Sequence, residues 1–190
     1  MDRAKLLIGF SIFFIFLTTT FSVAKKKAQL DNLMVYGKGF AFWVKEPQGW
    51  VGDIQNSSRF HANIIFYKKS ETAKNAKALI RVLVAQKVDE NTKLDLECDM
   101  KGYKSKYRNI KFKDINVTHP TYKTFPKLFF VPDTFYEYVV YINPGKKFTL
   151  LLSVSMNKQK KEATKEELET FRNIVSSIVM MSDNLKIQYK

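Results

Sequence analysis

The segment at residues 78–88 constrains the fold more than any other part of the chain, because it is apolar on both faces of a strand. Its apolar side chains alternate between the faces, with Ile80, Val82 and Val84 on one and Leu79, Leu83 and Ala85 on the other. A strand of this kind is expected in the interior of a sheet that is covered on both sides. The chain is therefore predicted to form three layers with this strand in the middle one.

Two segments have the pattern of helices that could provide this cover. Thr92 is a predicted N-cap, and a stripe of apolar residues follows at spacings of four, three and four, namely Leu96, Met100, Tyr103 and Tyr107. The second segment begins with the capping-box sequence Thr164 to Glu167. It continues with a buried face at Leu168, Phe171, Ile174, Val175 and Ile178. The sequence thus predicts one helix in the middle of the chain and one near its end.

The remaining apolar segments are short and rich in aromatic and branched residues, which is typical of strands. They lie at residues 39–44, 62–67, 110–117, 122–131, 135–142 and 148–154. The last two are predicted to pair antiparallel across the turn at residues 143–146, and a polar connector follows at 157–163. Together these elements predict an α+β fold, a three-layer α/β/α sandwich with a central, mostly antiparallel sheet.

The N-terminus has the layout of a signal peptide. Arg3 and Lys5 precede an apolar run at residues 6–17, and the small residues Ser22 and Ala24 suit cleavage after residue 24. The alternative is an uncleaved inner-membrane anchor through residues 6–24, which approach the length of about 20 residues needed to cross a bilayer. Lys25 and the two lysines after it oppose export, since positive charge favours the cytoplasmic side. We predict an exported protein, periplasmic or secreted.

The rest of the chain is interpreted as a polar lead at residues 25–38, a single domain at 39–181 and a polar tail at 182–190. The whole chain has a formal net charge of +14. Without residues 1–24 it keeps 30 Lys and Arg against 17 Asp and Glu, a net charge of +13. Such a balance attracts a protein to anionic surfaces but does not determine its fold.

Residues with catalytic chemistry are few. His61 and His119 are the two histidines of the sequence, and neither belongs to a metal-ligand or hydrolase motif; each is expected at a strand edge or in a turn. Cys98 is expected to be a buried small hydrophobic residue of the first helix. The acidic residues of that helix, Asp95, Glu97 and Asp99, are expected not to share a face. We therefore predict no enzyme activity, no cofactor, and no enclosed pocket in which polar groups converge.

Basic residues are the best candidates for a binding surface, either for a protein partner or for a polyanion. The candidates are Lys101, Lys104, Lys106, Arg108, Lys111, Lys113, Lys158, Lys160 and Lys161. Tyr103 and Tyr107 lie among them, as in proteins that stack bases, but they also belong to the core stripe of the helix. For an exported protein we expect a protein partner rather than nucleic acid, with an anionic membrane or cell-envelope polymer as the alternative.

The segment from Gly39-Phe40 to Glu46-Pro47-Gln48-Gly49-Trp50 resembles the opening of PsbP-like domains. The strand at residues 78–86, the helix after Asn91 and the closing helix ending at residues 174–178 are similar in order to the rest of that family. The resemblance covers most of residues 39–180. It implies a three-layer sandwich shared by a luminal photosystem II accessory protein and a nuclear import factor that binds a small GTPase.

The resemblance also implies an accessory or scaffold protein without catalytic activity. This chain departs from the photosynthetic members, because it has neither a Ser- and Arg-rich transit peptide nor a calcium or manganese cluster. It therefore does not point to a role in photosynthesis. The expected function is that of an exported, non-enzymatic accessory protein that binds a protein partner, with a basic binder of anionic membranes or envelope polymers as the alternative.

Overall fold

The computed structural model describes residues 32–90 and 92–181. The predicted signal peptide at 1–24, the first part of the polar lead and the tail at 182–190 lie outside the described residues. The helices are α1 (Thr92–Lys106) and α2 (Lys165–Ser177). In the described part, neither helix combines the length and apolar character that crossing a bilayer requires.

The larger of two sheets contains seven strands. In chain order they are β3 (Trp50–Asp53), β4 (Ile64–Lys68), β5 (Ala78–Gln86), β6 (Lys111–Lys113), β7 (Lys123–Val131), β8 (Phe135–Asn143) and β9 (Leu150–Gln159). Their order across the sheet is β3-β4-β5-β9-β8-β7-β6, and every neighbouring pair is antiparallel. The strand predicted to be interior is β5, which is paired on both sides, and the predicted antiparallel pairing of the last two strands is confirmed.

The smaller sheet contains β1 (Asn32–Gly37), β2 (Phe40–Lys45) and β10 (Val179–Met180), with β2 in the middle and antiparallel pairing throughout. Residues 32–37, interpreted from the sequence as the end of a polar lead, therefore form a strand. The reason is that Val35 of β1 is buried in the core, with Leu33 packed against the same core.

The layers confirm the predicted three-layer α+β sandwich and modify its third layer. One face of the large sheet packs on α1, through Leu96, Met100 and Tyr103 of the predicted stripe. The opposite face shares a larger core with α2 and with the inner face of the small sheet. The third layer is therefore a helix together with a second sheet, not a helix alone.

The beginning of α2 has the predicted capping box. Thr164 Oγ1 accepts from the backbone N–H of Glu167, and the Glu167 carboxylate accepts from the backbone N–H of Thr164. Phe171, Ile174 and Val175 are fully buried. Local capping and the period of the apolar residues therefore agree, which explains why this helix was predictable.

Two strands differ in length from their predictions. The segment predicted at residues 110–117 is a strand only over Lys111–Lys113. Strand β9, predicted to end at 154, continues to Gln159, because Asn157 and Lys158 pair with both β5 and β8. The polar residues Asn157 and Lys158 do not fit the apolar pattern of a strand, so the end of β9 was not predicted. Their pairing with strands on both sides explains why they form part of the sheet.

Candidate functional site

A polar cleft of about 210 Å³ lies between α1 and the large sheet. The register of the sheet places Arg81 of β5 beside Ser155 of β9, and Ser155 beside Val139 of β8. Glu137, two residues earlier in β8, points to the same face because side chains alternate along a strand. The floor of the cleft therefore carries opposite charges on β5 and β8, the two strands that flank β9.

The charges on this floor are paired. Arg81 Nη2 lies 2.7 Å from Glu137 Oε1, and Arg81 Nε donates to Ser155 Oγ at 3.2 Å. The hydroxyl of Tyr103, from α1, donates to the other oxygen of Glu137. Glu137 is buried, so its charge is stabilised by two donors in place of water. This network ties the C-terminal part of α1 to the sheet.

A second carboxylate lies at the wall of the cleft. The hydroxyl of Tyr141, in β8, donates to Asp99 Oδ2 on α1. Burial and the hydrogen bond to Asp99 raise the pKa of Tyr141. Burial and the charge of Glu137 likewise raise the pKa of Tyr103. Both phenols are therefore protonated at neutral pH and act as donors, so neither is a candidate base.

Two features of this region were not expected from the sequence. Polar groups converge in a cleft that is open to solvent, whereas the prediction concerned enclosed pockets only. Asp95 and Asp99 share a face of α1, contrary to the prediction, because four residues are about one helical turn. Asp99 reaches Tyr141, and Asp95 Oδ1 accepts from the backbone N–H of Val88 at 3.0 Å.

A signal for the cleft was present in the sequence. Arg81 and Glu137 are charges of opposite sign inside two segments predicted as apolar strands. Charged residues are almost never buried unless they are paired. Their positions therefore indicated an ion pair across the sheet.

The remaining residues with catalytic chemistry are not assembled into a reactive group. His61 is exposed in a turn, with φ of 52°, and lies at the rim of the cleft. Cys98 is exposed, contrary to the prediction, because α1 turns Leu96 and Met100 toward the sheet and Cys98 away from it. Over residues 32–90 and 92–181, His, Cys, Asp and Glu side chains do not come together in groups of three or more that could hold a metal ion.

Six of the predicted basic residues surround the end of α1 and strand β6, and we call this surface the basic edge. It consists of Lys101, Lys104, Lys106, Arg108, Lys111 and Lys113, all of which are exposed. Aromatic packing brings the two elements together, since Phe112 and Tyr103 both contact Phe129, with ring centroids 5.2 and 4.9 Å apart. Lys104 Nζ lies 5.7 Å from the centre of the Phe112 ring.

The charges of the basic edge are not neutralised within the described part of the chain, where the ion pairs involve other residues. The nearest acidic residue in sequence is Asp114, whose carboxylate is bound by Lys127 at 2.5 Å. Lys104 and Lys106 occupy the last turn of α1, where positive charge is favoured by the helix dipole. Strand β6 is the last strand of the sheet, so the backbone N–H and C=O groups along its outer edge have no partner strand in the sheet.

The other three basic candidates lie outside the basic edge. Lys158 is buried, and its Nζ lies 2.7 Å from Glu167 Oε1, so it does not present its charge to a partner. Lys160 and Lys161 are exposed just after β9. The backbone N–H of Lys160 donates to Thr134 O at 3.0 Å, which places this turn beside the connection between β7 and β8.

The sequence matches no protein-family model, and no curated protein matches it. Among solved structures, the chain is similar to the solution structure of cyanobacterial PsbP (CyanoP) from Synechocystis sp. PCC 6803. The two chains are 13% identical, the TM-score is 0.47, and the similarity covers 82% of this chain and 96% of that one. A PsbP is thus among the structures that this chain resembles, as its sequence predicted. The small-GTPase-binding import factor stays a prediction.

Proposed function

We propose that this protein is a non-enzymatic accessory protein that binds an acidic surface of a partner protein through the basic edge. The observation that carries the proposal is the collection of six exposed cations with no ion-pair partner among residues 32–90 and 92–181. A patch of one sign steers a partner of the opposite sign and raises its rate of association. The N-terminal sequence favours an exported compartment for this encounter.

The basic edge is held in place by the packing of β6 on the large sheet. Lys111 and Lys113 alternate with Phe112, which points inward, so both lysines stand on the outer face of β6. Strand β6 is short and ends the sheet, and it is held by the packing of Phe112 on Phe129. The cations of the edge are therefore presented on a scaffold that is already ordered before a partner arrives.

The polar cleft supports a binding role rather than catalysis. Glu137 is held by Arg81 and Tyr103, and Asp99 is held by Tyr141. These bonds join α1 to the sheet, and α1 carries half of the basic edge. In this proposal the buried network fixes the position of the helix, and the helix fixes the positions of its lysines.

The test is the binding of the full chain to poly-L-glutamate, as a probe for an acidic protein surface, in a salt series. The variant Lys104→Glu/Lys111→Glu/Lys113→Glu is compared with Lys74→Glu/Lys77→Glu/Lys147→Glu, which changes the net charge equally at exposed lysines outside the basic edge. We expect the first variant to bind at least about tenfold more weakly, a difference of about 1.4 kcal/mol. The matched variant is expected to remain close to the native protein.

Three outcomes contradict the proposal. Equal weakening in both variants would mean that net charge, and not the basic edge, is responsible. Binding that does not weaken with salt would exclude an electrostatic contact of exposed lysines. Tight, edge-dependent binding to phosphatidylglycerol vesicles with no binding to poly-L-glutamate would assign the basic edge to an anionic membrane, the alternative function.

A further inference from the structure

The outer face of the small sheet is apolar and open to solvent. The register aligns Met34, Trp43 and Val179 in one row across the three strands, and Tyr36 lies beside Ala41 in the next row. Tyr36 is 60% exposed, Val179 is 52% exposed and Met34 is 40% exposed. We call these five residues the outer patch. A contiguous apolar surface of this kind on a folded protein marks an interaction site.

The charged residues on β1, β2 and the turn between them are both lysines. The segment from residue 32 to 45 contains Lys38 and Lys45, and it is flanked by Asp31 and by Glu46, whose carboxylate accepts from the backbone N–H of Gly52 and lies 3.8 Å from Lys69 Nζ. Lys38 lies in the turn between β1 and β2, and Lys45 lies at the end of β2. Both are exposed, and neither belongs to an ion pair in the described part of the chain. In a symmetric dimer formed through the outer patch, these lysines of one copy would lie near the same lysines of the other and repel them. An anionic surface would instead be attracted by them.

The residue types of the outer patch fit the boundary of a lipid bilayer. Tryptophan and tyrosine are enriched at that boundary, because their rings are apolar and their N–H and O–H groups remain hydrated. Lysines at the rim add attraction to anionic headgroups. We infer that the outer patch docks flat on a phospholipid bilayer that contains anionic lipid, with Trp43 at the centre of the contact.

The sequence before β1 supports this choice of occupant. Residues 25–31 connect the apolar segment at 6–24 to Asn32, and seven residues span at most about 25 Å. They begin with three lysines, which add to the attraction of Lys38 and Lys45. A chain that keeps the apolar segment in the bilayer would hold the outer patch within this short distance of the lipid.

The docking surface is independent of the basic edge. The small sheet lies in the third layer of the sandwich, while α1 lies on the opposite face of the large sheet. With the outer patch on a bilayer, the basic edge stays free for a partner. Failure of one proposal therefore leaves the other in place.

The test uses the fluorescence of Trp43 in the full chain reconstituted in vesicles. The vesicles contain phosphatidylcholine and phosphatidylglycerol, with bromine on the acyl chains close to the headgroup. The protein has two tryptophans, and Trp50 is buried in the core, so the signal that differs between the native chain and Trp43→Phe reports Trp43. We expect brominated lipid to quench most of that signal and aqueous iodide to leave it unchanged.

Two variants make the test specific. Met34→Glu/Val179→Glu places charges in the outer patch, and we expect it to abolish the lipid quenching of Trp43. Ile54→Glu/Val88→Glu is the matched control, because it adds the same two charges at exposed apolar residues outside the outer patch, just after β3 and between β5 and α1. It is expected to leave the quenching unchanged. Circular dichroism of all three proteins checks that each is folded.

The results that overturn the inference are distinct. Quenching of Trp43 by iodide and not by brominated lipid would place the outer patch in water. Protection from both quenchers would assign it to protein, either a second copy or a terminal segment of this chain. Equal lipid quenching in vesicles of phosphatidylcholine alone would remove the role given to anionic lipid and to Lys38 and Lys45.

Discussion

Lys158 Nζ lies 2.7 Å from Glu167 Oε1, with only 10% of the lysine side chain and 6% of the glutamate side chain exposed. The pair joins the end of β9 to the first turn of α2. The same carboxylate also accepts from the backbone N–H of Thr164 in the capping box. One buried glutamate therefore connects the central strand of the large sheet to the helix that covers it.

Removing the lysine should destabilise the fold strongly. In Lys158→Met the Glu167 charge keeps its capping contacts but loses its cation, and breaking a buried pair in this way destabilises by about 3–5 kcal/mol. The free energy of unfolding from urea denaturation measures the effect. The control is Lys160→Met at an exposed position, which should change stability by no more than about 0.5 kcal/mol. Similar values for the two variants would show that the pair contributes little.

Stability should also fall in acid because of Glu167. Burial alone would raise the pKa of Glu167, but the hydrogen bonds from Lys158 and Thr164 together lower it below the ordinary value of 4.5. A lowered carboxyl pKa stabilises the fold above pH 4.5, and this contribution is lost as the pH falls from there through the folded pKa. Unfolding free energies measured through this window should decrease less steeply in Glu167→Gln. An equal decrease of the unfolding free energy with falling pH in both proteins would rule out Glu167 as the source of the acid sensitivity.

His119 should make the fold sensitive to pH in a second, higher range. Its Nδ1 accepts from the backbone N–H groups of Thr121 and Tyr122, both at 3.0 Å, and its Nε2 is 2.8 Å from Ile178 O. This network requires the neutral ring with the proton on Nε2. Burial lowers the pKa of His119 below 6.5.

Because the folded state resists protonation of His119, the unfolded state binds more protons between the folded pKa and 6.5. Stability should therefore decrease as the pH falls below 6.5 and level off below the folded pKa. The measurement is the urea midpoint at a series of pH values. His119→Gln cannot titrate, so a decrease of the same size in that variant would contradict this assignment.

The sequence predicted the elements whose local and long-range signals agree. In α2 the capping box and the apolar period point to the same helix. Strand β5 was predicted to be interior and is paired on both edges, although Leu83 on its second face is exposed. Strand β1 was missed because only Leu33 and Val35 face the core, while its other face belongs to the outer patch. Lys158 was assigned to the surface because the carboxylate that balances it comes from another element. Partners contributed by distant segments are not visible in local sequence.

The network in the cleft can be tested by removing one charge and then both. Arg81→Leu leaves Glu137 buried with the Tyr103 hydroxyl and the Asn157 amide as its remaining donors. It should destabilise by about 1–3 kcal/mol, because Arg81 keeps some contact with water. Arg81→Leu/Glu137→Leu removes the uncompensated charge and should be more stable than the single variant. Thermal denaturation of both variants checks this order. A double variant that is less stable than the single one would show that the Glu137 carboxylate stabilises the packing of α1 on the sheet even without Arg81.

The N-cap of α2 should contribute a smaller amount. Thr164→Ala removes the oxygen that accepts from the backbone N–H of Glu167 at 3.2 Å. The expected loss is about 0.5–2 kcal/mol in the free energy of unfolding. Thr118→Ala, at an exposed position, is the matched control. Equal effects would indicate that Thr164 is not the source of the stabilisation.

The position of β9 has a consequence for how the chain acquires its structure during synthesis. Strands β3 to β5 and strands β6 to β8 form two separate antiparallel groups, and β9 pairs with the last strand of each. Until residue 159 has left the ribosome, β5 and β8 each present an unpaired edge. The nascent chain therefore completes its central layer late, and a truncation before β9 would leave two incomplete sheets exposed to aggregation.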